Sequence, residues 1–150
     1  MVGQELACSE WSAITQDQID AFASATGDRQ WIHVDRERAR RESPYGDTVA
    51  HGFLTLAQLS RFFAQAIDVQ DAAMSVNYGL NRVRFPAPVI SGLKIRARFR
   101  LKSMRDVVGG VEALLVAAIE GEQMEKPVCV AEWVVRFYVR SQTKAKERTA

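Results

Sequence analysis

An aspartate and a histidine five positions apart, Asp28 and His33 in the stretch ATGDRQWIHVD, form a pair able to take and return a proton near neutral pH. His33 and His51 are the only histidines in the chain, so acid–base chemistry in that range has to start from these two places. An unperturbed imidazole titrates near ~6.5, which leaves a neutral His33 able to accept a proton at physiological pH. An ordinary structural reading stands beside this one. Asp28 follows Gly27 and is suited to capping the next turn, and His33 is suited to a buried position with its nitrogens satisfied.

Local signals define the elements that must hold these residues. Thr15 and Gln18 have the spacing of a capping box, with Ile14 and Ile19 at the flanking staple positions, so a helix starts near Gln16. Ile19, Phe22 and Ala23 share one face, and Gly27 can end the helix in a left-handed conformation, leaving Asp28 at the start of an irregular turn. A short basic helix over DRERARRE follows, then a loop at SPYGDTV marked by Pro44 and Gly46. From His51 to about Ile67 apolar residues occupy nearly every face, which predicts a helix covered on most sides. Gly52 falls in its first turn, where main-chain N–H groups lack partners and the helix dipole favours negative charge. A glycine there can equally do no more than relieve crowding.

The second half of the chain reads as strands. In LKIRARFRLK, Leu93, Ile95, Ala97, Phe99 and Leu101 alternate with basic residues, giving one dry and one wet face. VEALLVAAIEG, VCVAEWVVRFYVR and MSVNYGLNRVRF are further long strands. Helices first and antiparallel strands after them make an α+β domain, with an apolar helix lying in a curled antiparallel sheet. Residues 1–140 read as one domain and 141–150 as a polar basic tail. One copy leaves edge strands exposed, which favours a homodimer.

Composition narrows the function classes. A chain of 150 residues that is 47% hydrophobic and 25% charged is a globular domain able to bury a full core. No apolar run approaches the ~20 residues of a membrane helix, and the N-terminus lacks a signal-peptide pattern, so a cytoplasmic location is expected. The net charge of +2 comes with no reading helix or basic–aromatic surface, which speaks against nucleic acid as a partner. Cys8 and Cys129 are far apart with no ligand spacing, so they read as ordinary thiols and no metal site is expected.

Taken together, GDRQWIHVD, AHGFLTL and VRFPAPVISG, in that order, resemble the MaoC-like hot-dog dehydratases, and more closely their nodulation-protein-N-like branch, which includes R-specific enoyl-CoA hydratases. The resemblance implies a hot-dog fold, a long central helix wrapped by a curved antiparallel β-sheet. It further implies reversible hydration of trans-2-enoyl-CoA to R-3-hydroxyacyl-CoA, with no cofactor besides the coenzyme A carried by the substrate. Asp28 and His33 match the family's acid and histidine, while Gln30 and Trp31 stand where the family usually has Asn and Pro. By the same resemblance the main-chain N–H of Gly52 is the oxyanion donor. Trp31, His51 and Arg84 are candidate substrate contacts on their own residue types and places, Trp31 being otherwise suited to packing and His51 to a structural place. Arg84 is suited to a coenzyme A phosphate and equally to a solvated strand position. The chemistry itself asks for a base for water, an acid for the α-carbon and a donor for the enolate oxygen.

Two rival functions fit the same scaffold. A hot-dog acyl-CoA thioesterase would release free thiol from a saturated acyl thioester, and a non-enzymatic acyl-thioester-binding module would bind without turnover.

Overall fold

Thr15 caps the first helix as its spacing predicts. Its hydroxyl accepts from the Gln18 N–H, the Gln18 side chain accepts from the Thr15 N–H, and helix α1 runs Gln16–Thr26. Gly27 closes it at φ 81°, a left-handed conformation that costs a residue without Cβ nothing. Both staple residues, Ile14 and Ile19, are fully buried. The computed structural model describes residues 2–139. The tail expected at 141–150 lies outside these residues.

Two further short helices follow: α2 (Trp31–Val34) and α3 (Arg36–Glu42), the latter capped by the Asp35 carboxylate, which accepts from the Arg38 N–H. Helix α4 (Gly52–Ala66) is the long apolar one. Ahead of α1 lie two short strands, β1 (Glu5–Cys8) and β2 (Ser12–Ala13), and after α4 come β3 (Ala72–Arg84), β4 (Lys94–Val107), β5 (Gly110–Gly121) and β6 (Cys129–Val139). All pairings are antiparallel and the sheet order is β1-β4-β5-β6-β3, with β2 also on β4. This is the hot-dog arrangement of helix and sheet. Neither α2 nor β1 and β2 is anticipated from the sequence. A single helical turn and strands of two to four residues carry too few positions to show a period.

The alternation along β4 decides which face the sheet turns inward. Ile95, Ala97, Phe99 and Leu101 are buried, while their basic neighbours point outward and all but Arg100 find carboxylates. Arg96 and Arg98 both reach Glu120 on β5, at 3.0 and 2.7 Å, and Arg98 also reaches Glu5 on β1. Large and small residues face one another across the ladder, Phe99 beside Ala117 and Ala97 beside Ile119, so the inner face fills evenly.

Helix α4 packs on that face through Leu54, Thr55, Leu59 and Phe62. Phe63 meets Phe99 and Trp133 edge-on, with ring centroids 5.3 and 5.6 Å apart. Complete burial of a side chain such as Phe62 is worth about 1.5–3 kcal/mol, so this seam anchors the helix to the sheet. The opposite side of α4 is open: Phe53 is 70% exposed. Covering on most sides, as the apolar pattern predicts, is thus only half met within one chain, because a single curled sheet reaches only one side of the helix.

Candidate active site

The site residues come from three elements brought together at the start of α4. Asp28 stands in the irregular turn after α1, His33 on the single turn of α2, and His51 immediately before Gly52, the first residue of α4. A carboxylate oxygen of Asp28 and one ring nitrogen from each histidine all lie within 4.8 Å of one another. That span suits one bridging water, with hydrogen bonds of about 2.8 Å on each side.

Backbone carbonyls fix which nitrogen of each ring carries its proton. The His33 Nδ1 lies 2.6 Å from the Val49 carbonyl oxygen, and the His51 Nε2 lies 2.9 Å from the Asp28 carbonyl oxygen. A carbonyl only accepts, so Nδ1 of His33 and Nε2 of His51 are the donors, and Nε2 of His33 remains as an acceptor. The Val49 carbonyl is itself clamped. The flanking amides of Val49 and Ala50 donate to Ile32 and Val89, and the Ser91 amide donates to Thr48.

Both histidines are buried, His33 7% and His51 2% exposed, and their rings stack with centroids 3.8 Å apart. Burial holds the His33 pKa below the ordinary imidazole value. The hydrogen bond to Val49 opposes this, the His51 ring adds to it, and the Asp28 charge opposes it. His33 is therefore neutral at physiological pH, as a proton acceptor must be.

The stack also bears on metal binding. A divalent ion about 2.1 Å from two imidazole nitrogens needs their lone pairs to converge. Rings stacked at 24° direct their in-plane lone pairs side by side, so the trio suits a shared water better than an ion.

Gly52 and His33 line one cavity of about 280 Å³, together with Thr55, Tyr45 and Phe85. As the first residue of α4, Gly52 has no intrahelical acceptor for its N–H. A Cβ on Gly52 would sit 3.1 Å from the Phe85 ring, so the glycine lets that ring lie against the helix start. Trp31 stands apart from the cavity, with the Arg38 guanidinium 4.4 Å above its ring. Arg84 ends β3, next to Phe85, and faces the outer side of the sheet. Cys129 is buried, and burial pushes its thiol up to about 11, far from a thiolate at neutral pH.

Several residues that build the site carry no sequence signal. Gln16 donates through Nε2 to the His33 carbonyl at 2.8 Å and accepts through Oε1 from the buried Thr48 hydroxyl at 2.6 Å. It ties α1 to α2 and to the strand-like segment before α4. Gln16→Ala should lower stability by about 1–2 kcal/mol in urea unfolding, because Thr48 and the His33 carbonyl lose a partner together. An unchanged midpoint would show that water replaces both bonds. Val49 contributes only its carbonyl, and Thr55 and Phe85 only shape.

Comparison with known proteins gives this geometry a family. Residues 1–137 match the family model described as MaoC like domain. A 3-hydroxyacyl-thioester dehydratase Z of Mycobacterium tuberculosis is 48% identical over 136 residues, covering 90% of this chain and 89% of that protein. Nodulation protein N of Rhizobium leguminosarum bv. viciae is 44% identical over 137 residues, covering 89% and 84%. Among solved structures, the (R)-hydratase from A. caviae superposes with a TM-score of 0.72 at 22% identity, covering 90% of this chain and 95% of that one. The chain belongs to the MaoC-like dehydratases, a family of hydro-lyases on the hot-dog fold, and is similar there to the nodulation-protein-N branch.

Proposed function

We propose that this protein is an R-specific enoyl-CoA hydratase, reversibly adding water to a trans-2-enoyl-CoA to give the R-3-hydroxyacyl-CoA. The observation that carries the reading is His33. Its Nδ1–H is committed to the Val49 carbonyl, it neighbours Asp28, and it opens on the same cavity as the Gly52 N–H. In this reading Asp28 and His33 Nε2 jointly hold a water. As the water oxygen attacks the β-carbon, its O–H bond breaks and the pair takes the proton. The electrons of the double bond move onto the thioester oxygen, which accepts from the Gly52 N–H while the helix dipole favours the charge. The proton then passes to the α-carbon and the carbonyl re-forms. Water adds without net transfer of electrons, so the step calls for no redox cofactor.

The curated relative named a 3-hydroxyacyl-thioester dehydratase supports a thioester substrate. His51 takes a supporting place in this reading, donating to the Asp28 carbonyl from behind His33. Trp31 borders the turn that carries the histidine, and Arg84 faces the substrate's charged end.

The functional unit in this proposal is a cytoplasmic homodimer. Strand β3 is a sheet edge and leaves apolar side chains exposed on both faces, Met74, Val76 and Tyr78 on the outer one and Leu80 on the side of α4, which a second copy paired along this edge would cover. Among the described residues no helix is long and apolar enough to cross a membrane.

The test is a hydration assay with crotonyl-CoA and a longer trans-2-enoyl-CoA on protein whose mass is measured by light scattering. Expected are loss of the enoyl-thioester absorbance, R product, no free thiol, and twice the 16.8 kDa chain mass. Thiol release from a saturated acyl-CoA would move the assignment to a thioesterase. Tight binding without turnover would make the protein an acyl-thioester-binding module.

A further inference from the structure

The outer face of the sheet carries a second concavity, of about 480 Å³, on the side away from α4. Its make-up follows from two neighbouring rows of the ladder. One row runs Arg100, Val116, Glu132, Arg82 across β4, β5, β6 and β3, and the next ends with Val130 beside Arg84. Strand alternation turns all of these outward, so the floor between the arginines carries Val116 and Val130 with Glu132 beside them.

The charge balance of this groove differs from that of the rest of the face. Arg96, Arg98, Arg105 and Arg136 are each matched with Glu112 or Glu120. Within the groove Glu132 is already neutralised by Lys102. Among the described residues, Arg82, Arg84 and Arg100 have no carboxylate within salt-bridge distance, and Arg84 donates only to the neighbouring Val83 carbonyl. Three guanidiniums are thus left without a carboxylate among the described residues and open to an anionic ligand. Arg82 and Arg84 stand two residues apart on one strand, about 7 Å, and Arg100 lies three strands away, about 14 Å. Such spacings accommodate a nucleoside that carries phosphate at two positions, with its flat base over Val116 and Val130.

The groove also adjoins the catalytic cavity. Arg84 is in the groove and Phe85 lines the cavity; Val130 is in the groove and Val128 lines the cavity. A ligand passing around this end of the sheet would reach from one to the other. We propose that the Arg82–Arg84–Arg100 groove binds the phosphorylated nucleotide of the coenzyme A thioester whose acyl end occupies the His33–Gly52 cavity. This rests on the hydratase reading for the acyl end, while the nucleotide site itself can be tested without turnover.

The experiment pairs two substrates with the same acyl group, crotonyl-CoA and crotonyl-pantetheine, the second lacking every phosphate. In wild type kcat/KM should favour the coenzyme A ester, and R82A/R84A should cut that preference about tenfold, with R100A acting in the same direction. A preference left intact, or absent from wild type, overturns the groove, because a merely structural loss lowers both substrates together. Calorimetry with adenosine 3′,5′-bisphosphate supplies the arm independent of turnover: binding to wild type, weakened about tenfold in R82A/R84A. Binding without hydration would sink the proposed reaction and keep the groove. Hydration of both esters with no bisphosphate binding would do the reverse. Preference for a carrier-protein thioester over the coenzyme A ester, lost in the same variants, would reassign the groove to an acidic protein and overturn the nucleotide.

Discussion

Asp28→Asn should reduce kcat for crotonyl-CoA hydration by about 10²–10⁴-fold while leaving the fold intact, the range typical of a removed general acid or base. The carboxylate is exposed, and its one local bond, accepted from the Gln30 N–H at 3.4 Å, is long and survives in the isosteric amide. The variant therefore changes charge and proton affinity at the water site with little else. What holds the Asp28 backbone is untouched as well, since His51 grips its carbonyl. Circular dichroism and the unfolding midpoint should match wild type. Activity within about threefold of wild type would remove Asp28 from proton transfer and leave His33 to act alone.

The reach of sequence reasoning in this chain follows the range of the interactions concerned. The capping box at Thr15, the stop at Gly27 and the alternation of Ile95 to Leu101 are settled among neighbours, and each reads directly. Asp28 and His33 stand out because their side chains have chemistry of their own. Val49 gives the site only a main-chain carbonyl, which any residue possesses, so nothing in its identity marks it. Gln16 is hidden for another reason: its partners His33 and Thr48 lie 17 and 32 positions away, and only the folded chain brings them together. The openness of Phe53 has a third cause. An apolar residue on a helix predicts burial, yet which surface covers it depends on how far one sheet curls.

The site also depends on an economy of charge that neither histidine could maintain alone. Stacked imidazoles 3.8 Å apart disfavour a second positive charge, and burial disfavours even the first. In the proposed reaction Asp28 supplies the negative charge that a transiently protonated His33 needs during turnover. It does so from the exposed side, where the carboxylate remains hydrated.

His33→Asn tests the base with its anchoring retained. The amide nitrogen of asparagine stands near the position of Nδ1 and can still donate to the Val49 carbonyl, but nothing replaces Nε2. Loss of kcat by about 10²–10⁴-fold, with Asp28 and Gly52 unaltered, is expected if the imidazole moves the proton. The pH dependence then separates chemistry from packing. In wild type kcat/KM should stay level through neutrality and fall only on acidification below the ordinary imidazole range of ~6.5, where His33 finally protonates. The residual rate of His33→Asn should lack that limb. Stability carries the same signature: the folded pKa is depressed, so below ~6.5 the unfolded chain binds a proton that the folded chain refuses. Unfolding free energy should accordingly be full above ~6.5 and decline as pH falls toward the folded pKa, a slope that His33→Asn flattens. Retention of both the acid limb and the slope in the variant would assign them to another group and take His33 out of the proposed mechanism.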